Sequence, residues 1–539
     1  MKKFTRVLSF LMVVCMLAGM FAACGTKATP AAETPATNTP EANTPAAETP
    51  ATNTPAAEPP AGPVKDTLTV VNNSEVQSCD PAATTAAPTF QCLAQMLETL
   101  VEMDEEGNYV MHLAESIEQT DDLTYLVHLR QGVKFHNGEE MKASDVVFTY
   151  KRAMESAKAS TNLTELDPEG LAEIDEYTVQ FKTKEKIATF LNVLSRNNGM
   201  ILNQKAVEEA GEEVGRSCVG TGPYKFVEWQ AGVQITMVAF DEYWGEKASI
   251  PNVVYKFVDD ANSRLVMLEA GEADMIYAVP ASGVEILKGN DKVVVHEQPS
   301  NAVRWFFINT NVEPTNNIDV RKAIAYALDT QGLTNAVFGE HAIPATSFFA
   351  PNIMGHTSDL ELYNYNVEKA KEHLAAAGYG EGELTLKLTM WSQTVQNSMA
   401  EIIQAQLGNI GINVEIEALE SAAFSAALAT GEIQIGLATN SNTSREPSAA
   451  AKVFLSTNFP KPNYAGLALP EVDALLAEGL SCTDPVEREA IYVKVQQLTA
   501  EECCIIPLCY ENDIFAVSAD LQGFFISKSG NQKFANYSF

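Results

Sequence analysis

Basic residues are scarce in this chain: 36 Lys and Arg stand against 70 Asp and Glu, giving a formal charge of −34 at pH 7. A surface of that sign repels phosphate backbones and anionic headgroups, so nucleic-acid binding and electrostatic adsorption to membranes are not expected. Histidine is rarer still, at seven residues in no ligand spacing, and no CxxC pair is followed by a second one. Metal sites and cofactors are therefore not expected. The chain contains no G-x-S-x-G elbow, no H-E-x-x-H and no phosphate loop; Gly220-Thr221-Gly222 lacks a third glycine and leads into Pro223-Tyr224. These absences argue against an enzyme. Beyond Met20 no apolar run approaches the length of a membrane helix.

What is present begins at the N-terminus. Lys2, Lys3 and Arg6 precede an apolar core at 7–20, the pattern of a secretory signal with an h-region too short to be a stable span. It ends in Phe21-Ala22-Ala23-Cys24, which resembles the bacterial lipobox, although Phe21 stands where Leu is usual. That resemblance implies a signal peptide at 1–23 and acylation of Cys24, whose two or more chains suffice for durable anchoring. Loss of Lys2, Lys3 and Arg6 leaves the mature chain three charges more acidic. Residues 24–65 are rich in Pro, Thr, Ala and Glu, and PAAETPATNTP at 30–40 recurs at 45–55. With no apolar side chain larger than Ala over most of its length, this stretch cannot bury a core and reads as a disordered tether. Fully extended it reaches about 100 Å.

Residues 66–539 are long enough for two or three lobes with complete cores. They hold Cys79, Cys92, Cys218, Cys482, Cys503, Cys504 and Cys509. Seven is odd, and two readings stay open: buried thiols suited to a low-oxygen habitat, or a Cys79–Cys92 disulfide.

Periods of two and of 3.6 alternate along this part. Strands are expected at 68–71, 125–130, 133–135, 177–182, 224–229 and 234–240, the last two forming a hairpin around Gly232. A helix is expected at 89–101, with Phe90, Leu93, Leu97 and Leu100 on one face. Another starts at Ala143, capped by Ser144 or Asp145. Two later stretches share a strand–helix–strand plan: 253–258, 261–270 and 274–279, then 412–417, 421–430 and 433–439. Both helices end at a Gly-Glu pair, Gly271-Glu272 and Gly431-Glu432, where a left-handed residue is needed. A strand at 384–391 and a helix at 395–407 extend the second unit. Two α/β lobes built on one plan imply a crevice between them, with ligand loops after Val279, Trp391 and Thr439.

The run at 123–154, LTYLVHLRQGVKFHNGEEMKASDVVFTYKRAM, resembles the signature of the bacterial extracellular solute-binding proteins of family 5, the peptide/nickel/opine type that feeds ABC importers. Asp80-Pro81-Ala82, Gly220-Thr221-Gly222-Pro223-Tyr224, Tyr243-Trp244-Gly245 and Phe307-Ile308-Asn309 follow the family order. The resemblance implies an α/β, bilobal, type II periplasmic-binding-protein fold in its three-segment variant with an inserted domain. Lobe I would comprise 66–108, 217–310 and 505–539, the inserted domain II 109–216, and lobe III 311–504. His136 and Arg130 then read as structural, setting a turn and holding carbonyls.

Peptide-binding members carry an Asp in an ADYx-[DE]-P segment that meets the peptide ammonium. Here the segment is Asn442-Thr443-Ser444-Arg445-Glu446-Pro447, and Thr443 takes the Asp position. A threonine cannot neutralise a buried ammonium, so cargo with a charged N-terminus is disfavoured unless another acid, such as Glu446 or Glu420, replaces it. Arg445 suits a carboxylate and Trp391 a flat face. The candidate ligand-binding residues are Phe90, Trp391, Thr439, Asn440, Asn442, Thr443 and Arg445. The expectation is a monomeric, membrane-anchored lipoprotein that captures a small-molecule or peptide ligand by hinge closure and hands it to an ABC permease and ATPase complex. The alternatives are a signalling or chaperoning lipoprotein and a nickel-chelate receptor.

Overall fold

Strand Thr67–Asn72 is buried almost throughout because it has parallel neighbours on both sides, Asn252–Phe257 and Met275–Ile276. Such a position selects the apolar run Leu68, Val70, Val71 rather than strict alternation. The hairpin Tyr224–Gln230/Gln234–Ala239 extends this first lobe antiparallel to Asn252–Phe257. The computed structural model describes residues 65–360, 364–442 and 444–539. The signal peptide, the tether and Cys24 lie outside the described residues, as does Thr443.

Between Asn72 and Tyr224 the chain builds a separate antiparallel sheet, in the order Ala114–Gln119, Thr124–Leu129, Thr178–Lys182, Ala172–Asp175. Helix Ala143–Glu155 packs on it through Val146, Thr149, Tyr150 and Ala153, spaced at 3, 1 and 3 as a helical face requires. Lys142 is its N-cap residue; Asp145 lies one turn in and accepts from the Lys142 N–H (3.0 Å) and the Gln204 N–H (2.9 Å). The Arg152 guanidinium holds Asp80 with two bonds of 2.5 and 2.7 Å, tying this inserted domain to the first lobe.

The second lobe centres on Leu384–Trp391, parallel to Ile412–Leu419 on one side and to Ile435–Ser441 on the other. Next in the sheet is Ala302–Ile308, buried on both faces: Val303, Trp305 and Phe307 enter one core, Phe306 and Ile308 another. Helices Ala261–Glu269 and Ser421–Leu428 are each followed by the expected left-handed glycine, Gly271 at φ +73° and Gly431 at φ +71°. At Gly431 a Cβ would also come within 2.7 Å of the Phe459 ring.

Two strands join the lobes. Ile505–Ser518 pairs with Ala302–Ile308 at its start and with Val293–Pro299 from Asn512 to its end. Its antiparallel partners turn between lobes at Ser300-Asn301. Arg304 and Glu511 fasten this crossing with bonds of 2.8–3.0 Å.

Three local expectations change. The helix at 89–101 is only Ala87–Leu93, although Phe90, Leu93, Leu97 and Leu100 are all buried. Beyond it the backbone is clamped by the Gly220-Thr221-Gly222 segment: Gly222 N–H donates to Met96 O (3.0 Å) and Tyr224 N–H to Gln95 O (3.0 Å). A Cβ on Gly220 would lie 2.2 Å from Met96 O, so the glycines permit the contact that ends the helix. Residues 133–135 form no strand, only a Lys134–Glu140 bridge, because Gly132 and Gly138, both left-handed, fold the segment into turns. The strand at 274–279 is reduced to Met275–Ile276. No disulfide joins the seven cysteines among the described residues, Cys79 and Cys92 included.

Candidate functional site

A cavity of about 650 Å³ lies at the crossing, walled by all parts of the fold. The first lobe gives Phe90, Gln91, Leu97, Glu98 and Met103, and its C-terminal segment adds Ser527 to Lys533. The inserted domain gives Asn162 and Ser195 to Asn198; the crossing strands give Gln298, Asn301, Asp513 and Phe515; the second lobe gives Asn440, Asn442, Ser444 and Lys452. Side-chain amides are the commonest polar groups of these walls, and they both donate and accept hydrogen bonds. The size is that of pockets for small ligands.

The expected site residues are distributed as follows. Phe90, Asn440 and Asn442 line the cavity. Trp391 ends its strand on the surface, 37% exposed and away from the cavity. Thr439 is exposed and accepts from Arg304 Nη1 at 3.3 Å. Arg445 lies outside the cavity wall, held in a left-handed conformation at φ +55°. It donates to Asn352 O from Nε (3.2 Å) and Nη2 (3.0 Å), and from Nη1 to Met103 Sδ (3.9 Å). Its guanidinium lies against Gly107, where a Cβ would come 1.6 Å from Nη1. Glu446 is also committed: buried, it pairs with Arg488 and accepts from Ser448 N–H at 3.5 Å. It is not free to replace an acid at 443.

The same loop joins the two sides. Ser444 O accepts from Tyr109 Oη (3.1 Å) and Asn192 Nδ2 (3.0 Å), both in the segment inserted between the first-lobe strands. At the opposite rim Asn531 Nδ2 donates to Asn197 Oδ1 at 2.8 Å. The second lobe therefore meets the inserted domain across the cavity, and the Asn531–Asn197 bond ties the inserted domain to the first lobe.

Most charges in the walls are neutralised. Glu98 is buried and accepts from Thr221 Oγ1 (2.6 Å), Tyr243 Oη (2.7 Å) and Trp244 Nε1 (3.0 Å), with His112 Nε2 at 2.8 Å. Burial alone would raise its pKa, but His112 and these hydrogen bonds bring it below the usual value. Arg196 pairs with Glu165 (2.9 Å) and Lys533 with Glu102 (2.5 Å). Lys528 Nζ donates to Gln298 Oε1 at 3.3 Å. The Lys452 side chain makes no hydrogen bond or ion pair among the described residues, and desolvation by the surrounding protein pulls its pKa down, partly opposed by Glu165.

His136 is structural: its Nε2 lies 2.9 Å from Gly222 O and its Nδ1 accepts from Gly220 N–H at 3.3 Å. Arg130 Nε donates to His112 O at 2.5 Å, and its guanidinium lies over Trp244. Among the described residues no group of three or more His, Cys, Asp or Glu is placed to hold a metal ion.

Two mixed α/β lobes crossed by two strands and closed over a polar cavity define a bilobal type II binding protein. The family model "Bacterial extracellular solute-binding proteins, family 5 Middle" matches residues 108–461, and the chain belongs to that family. It is 30% identical over 438 residues to the glutathione-binding protein GsiB of Escherichia coli O1:K1 / APEC, covering 79% of this chain and 85% of that protein. Two solved structures, each 25% identical, align with 88% of this chain and 98% of theirs. One is the ABC transporter-associated periplasmic binding protein DppA from Helicobacter pylori in complex with peptide STSA, with a TM-score of 0.77. The other is AgaA in complex with agropinic acid from A. tumefacien R10, with a TM-score of 0.74. Proteins of this family are extracytoplasmic binding proteins for solute import and not enzymes.

Proposed function

We propose that this chain is the receptor of an ABC importer, anchored to the membrane through Cys24, that closes its lobes over a small, polar, peptide-like solute bearing a carboxylate. The observation that carries this reading is the cavity itself, bounded by both lobes and the crossing strands and lined by side-chain amides. A pocket that needs contacts from both lobes favours the closed state only when filled, which couples capture to a shape a permease can read. Lys452, without a partner and in the cavity wall, is the cation we assign to the carboxylate, in place of Arg445. The relatives' cargoes, glutathione, a peptide and agropinic acid, are all polar molecules that bear carboxylates.

Native mass spectrometry of the protein from its own host identifies what co-purifies, and calorimetry with that compound measures affinity. Small-angle scattering is expected to show a smaller radius of gyration at saturation. Binding with no change in radius would overturn closure, and co-purification of only metal chelates would overturn the peptide-like cargo.

A further inference from the structure

The cavity contains one carboxylate that the fold does not use. Asp513 sits on the crossing strand Ile505–Ser518, two residues after Glu511, with Gln298 as its cross-strand partner. It lines the cavity, and its side chain is open to it while protein surrounds it. Among the described residues no hydrogen bond donor or cation pairs with its oxygens. Every other acid of the walls is committed: Glu98 to four donors, Glu102 to Lys533 and His112. Burial, reinforced by Glu511, pushes Asp513 up to about 6, and no cation offsets this. An unpaired carboxylate facing a ligand cavity lacks a counter-charge, and an incoming cation supplies one.

We propose that Asp513 is the counter-charge for an ammonium group of the cargo, so that with Lys452 the site selects zwitterions carrying both an ammonium and a carboxylate. This rests on the cavity being the cargo site. It also supplies, from the crossing strand, the acid that the segment at 442–447 does not offer: Thr443 takes the position of the family's Asp, and Glu446 is held by Arg488. Cargo with a free N-terminus is then a ligand rather than a disfavoured one.

The test is calorimetry of the full mature chain against reduced glutathione and a panel of di- to tetrapeptides, each with its N-acetylated counterpart. In the wild type acetylation is expected to weaken binding roughly thirtyfold or more. In Asp513→Asn, a near-isosteric change, the free compounds should fall to the level of the acetylated ones, whose affinity stays unchanged. A second measurement needs no variant: the wild-type affinity for free compounds should fall as pH drops below about 6, while that for acetylated ones does not. The other charges facing this region are Glu511, Lys528 and Lys452, with the Glu102–Lys533 and Glu98–His112 pairs; their titration affects both compounds alike. An unchanged free-to-acetylated ratio in Asp513→Asn, or wild-type binding confined to acetylated members, overturns the role of Asp513 and leaves the cavity as the cargo site. Binding of no panel member overturns the peptide-like cargo and this inference with it.

Discussion

His136 shows how one side chain can carry a family motif without touching cargo. Burial is the main reason its pKa drops to about 4, with the Gly222 carbonyl opposing. The neutral ring is therefore the folded form, and protonation is easier in the unfolded chain, where the ordinary value is 6.5. A lowered folded pKa contributes stability that is present above 6.5 and is lost as pH falls toward 4. The contribution amounts to at most about 3 kcal/mol. The variant His136→Gln is expected to lose less melting temperature than wild type between neutral pH and pH 4, as followed by circular dichroism. An equal loss in both would assign the acid sensitivity elsewhere, for instance to Glu165, whose pKa, despite burial, the Arg196 pairing lowers.

At the scale of elements, the loop after strand Ile435–Ser441 has two duties. Asn440, Asn442 and Ser444 line the cavity, while Ser444 O and Arg445 reach the opposite side. Arg445→Ala removes the contact with Met103 and the packing on Gly107 but no cavity-lining group. It should weaken every ligand by a similar factor of roughly ten, the worth of a hydrogen-bonded charge, and leave a larger radius of gyration at equal saturation. If Arg445 met the cargo carboxylate instead, the loss would be confined to probes that carry one. Calorimetry with a peptide and its C-terminal amide separates the two outcomes.

At the scale of the whole molecule the chain is strongly acidic, with a formal charge of −34 at pH 7. Among the described residues no helix is long and apolar enough to cross a membrane. Cys24→Ser is expected to release the protein from membranes of its host and to abolish acyl labelling, with cargo affinity unchanged. Retention of the unlabelled variant on the membrane would point to a different anchor. The net negative charge of the chain discourages adhesion to anionic lipid.

The sequence by itself determined the kinds of elements and their punctuation. Helix faces such as Val146, Thr149, Tyr150 and Ala153, and the glycines at 271 and 431, obey rules that act within a few residues. Such rules are legible without the fold, as is the loop that follows strand Ile435–Ser441. Other outcomes depended on partners far along the chain. The helix after Ala86 stops at Leu93 because the segment around Gly220 and Gly222 clamps Gln95 and Met96. Arg445, which reads locally as a carboxylate ligand, is turned to Asn352 O and Met103, and Glu446 is taken by Arg488. Asp513 has no local signature at all, since nothing in the residues beside it marks a ligand. It stands out because the other acids of the cavity wall, Glu98 and Glu102, are paired and it is not. Which polar groups are spent on the fold and which remain for cargo is settled by long-range pairing, and only tertiary structure decides that.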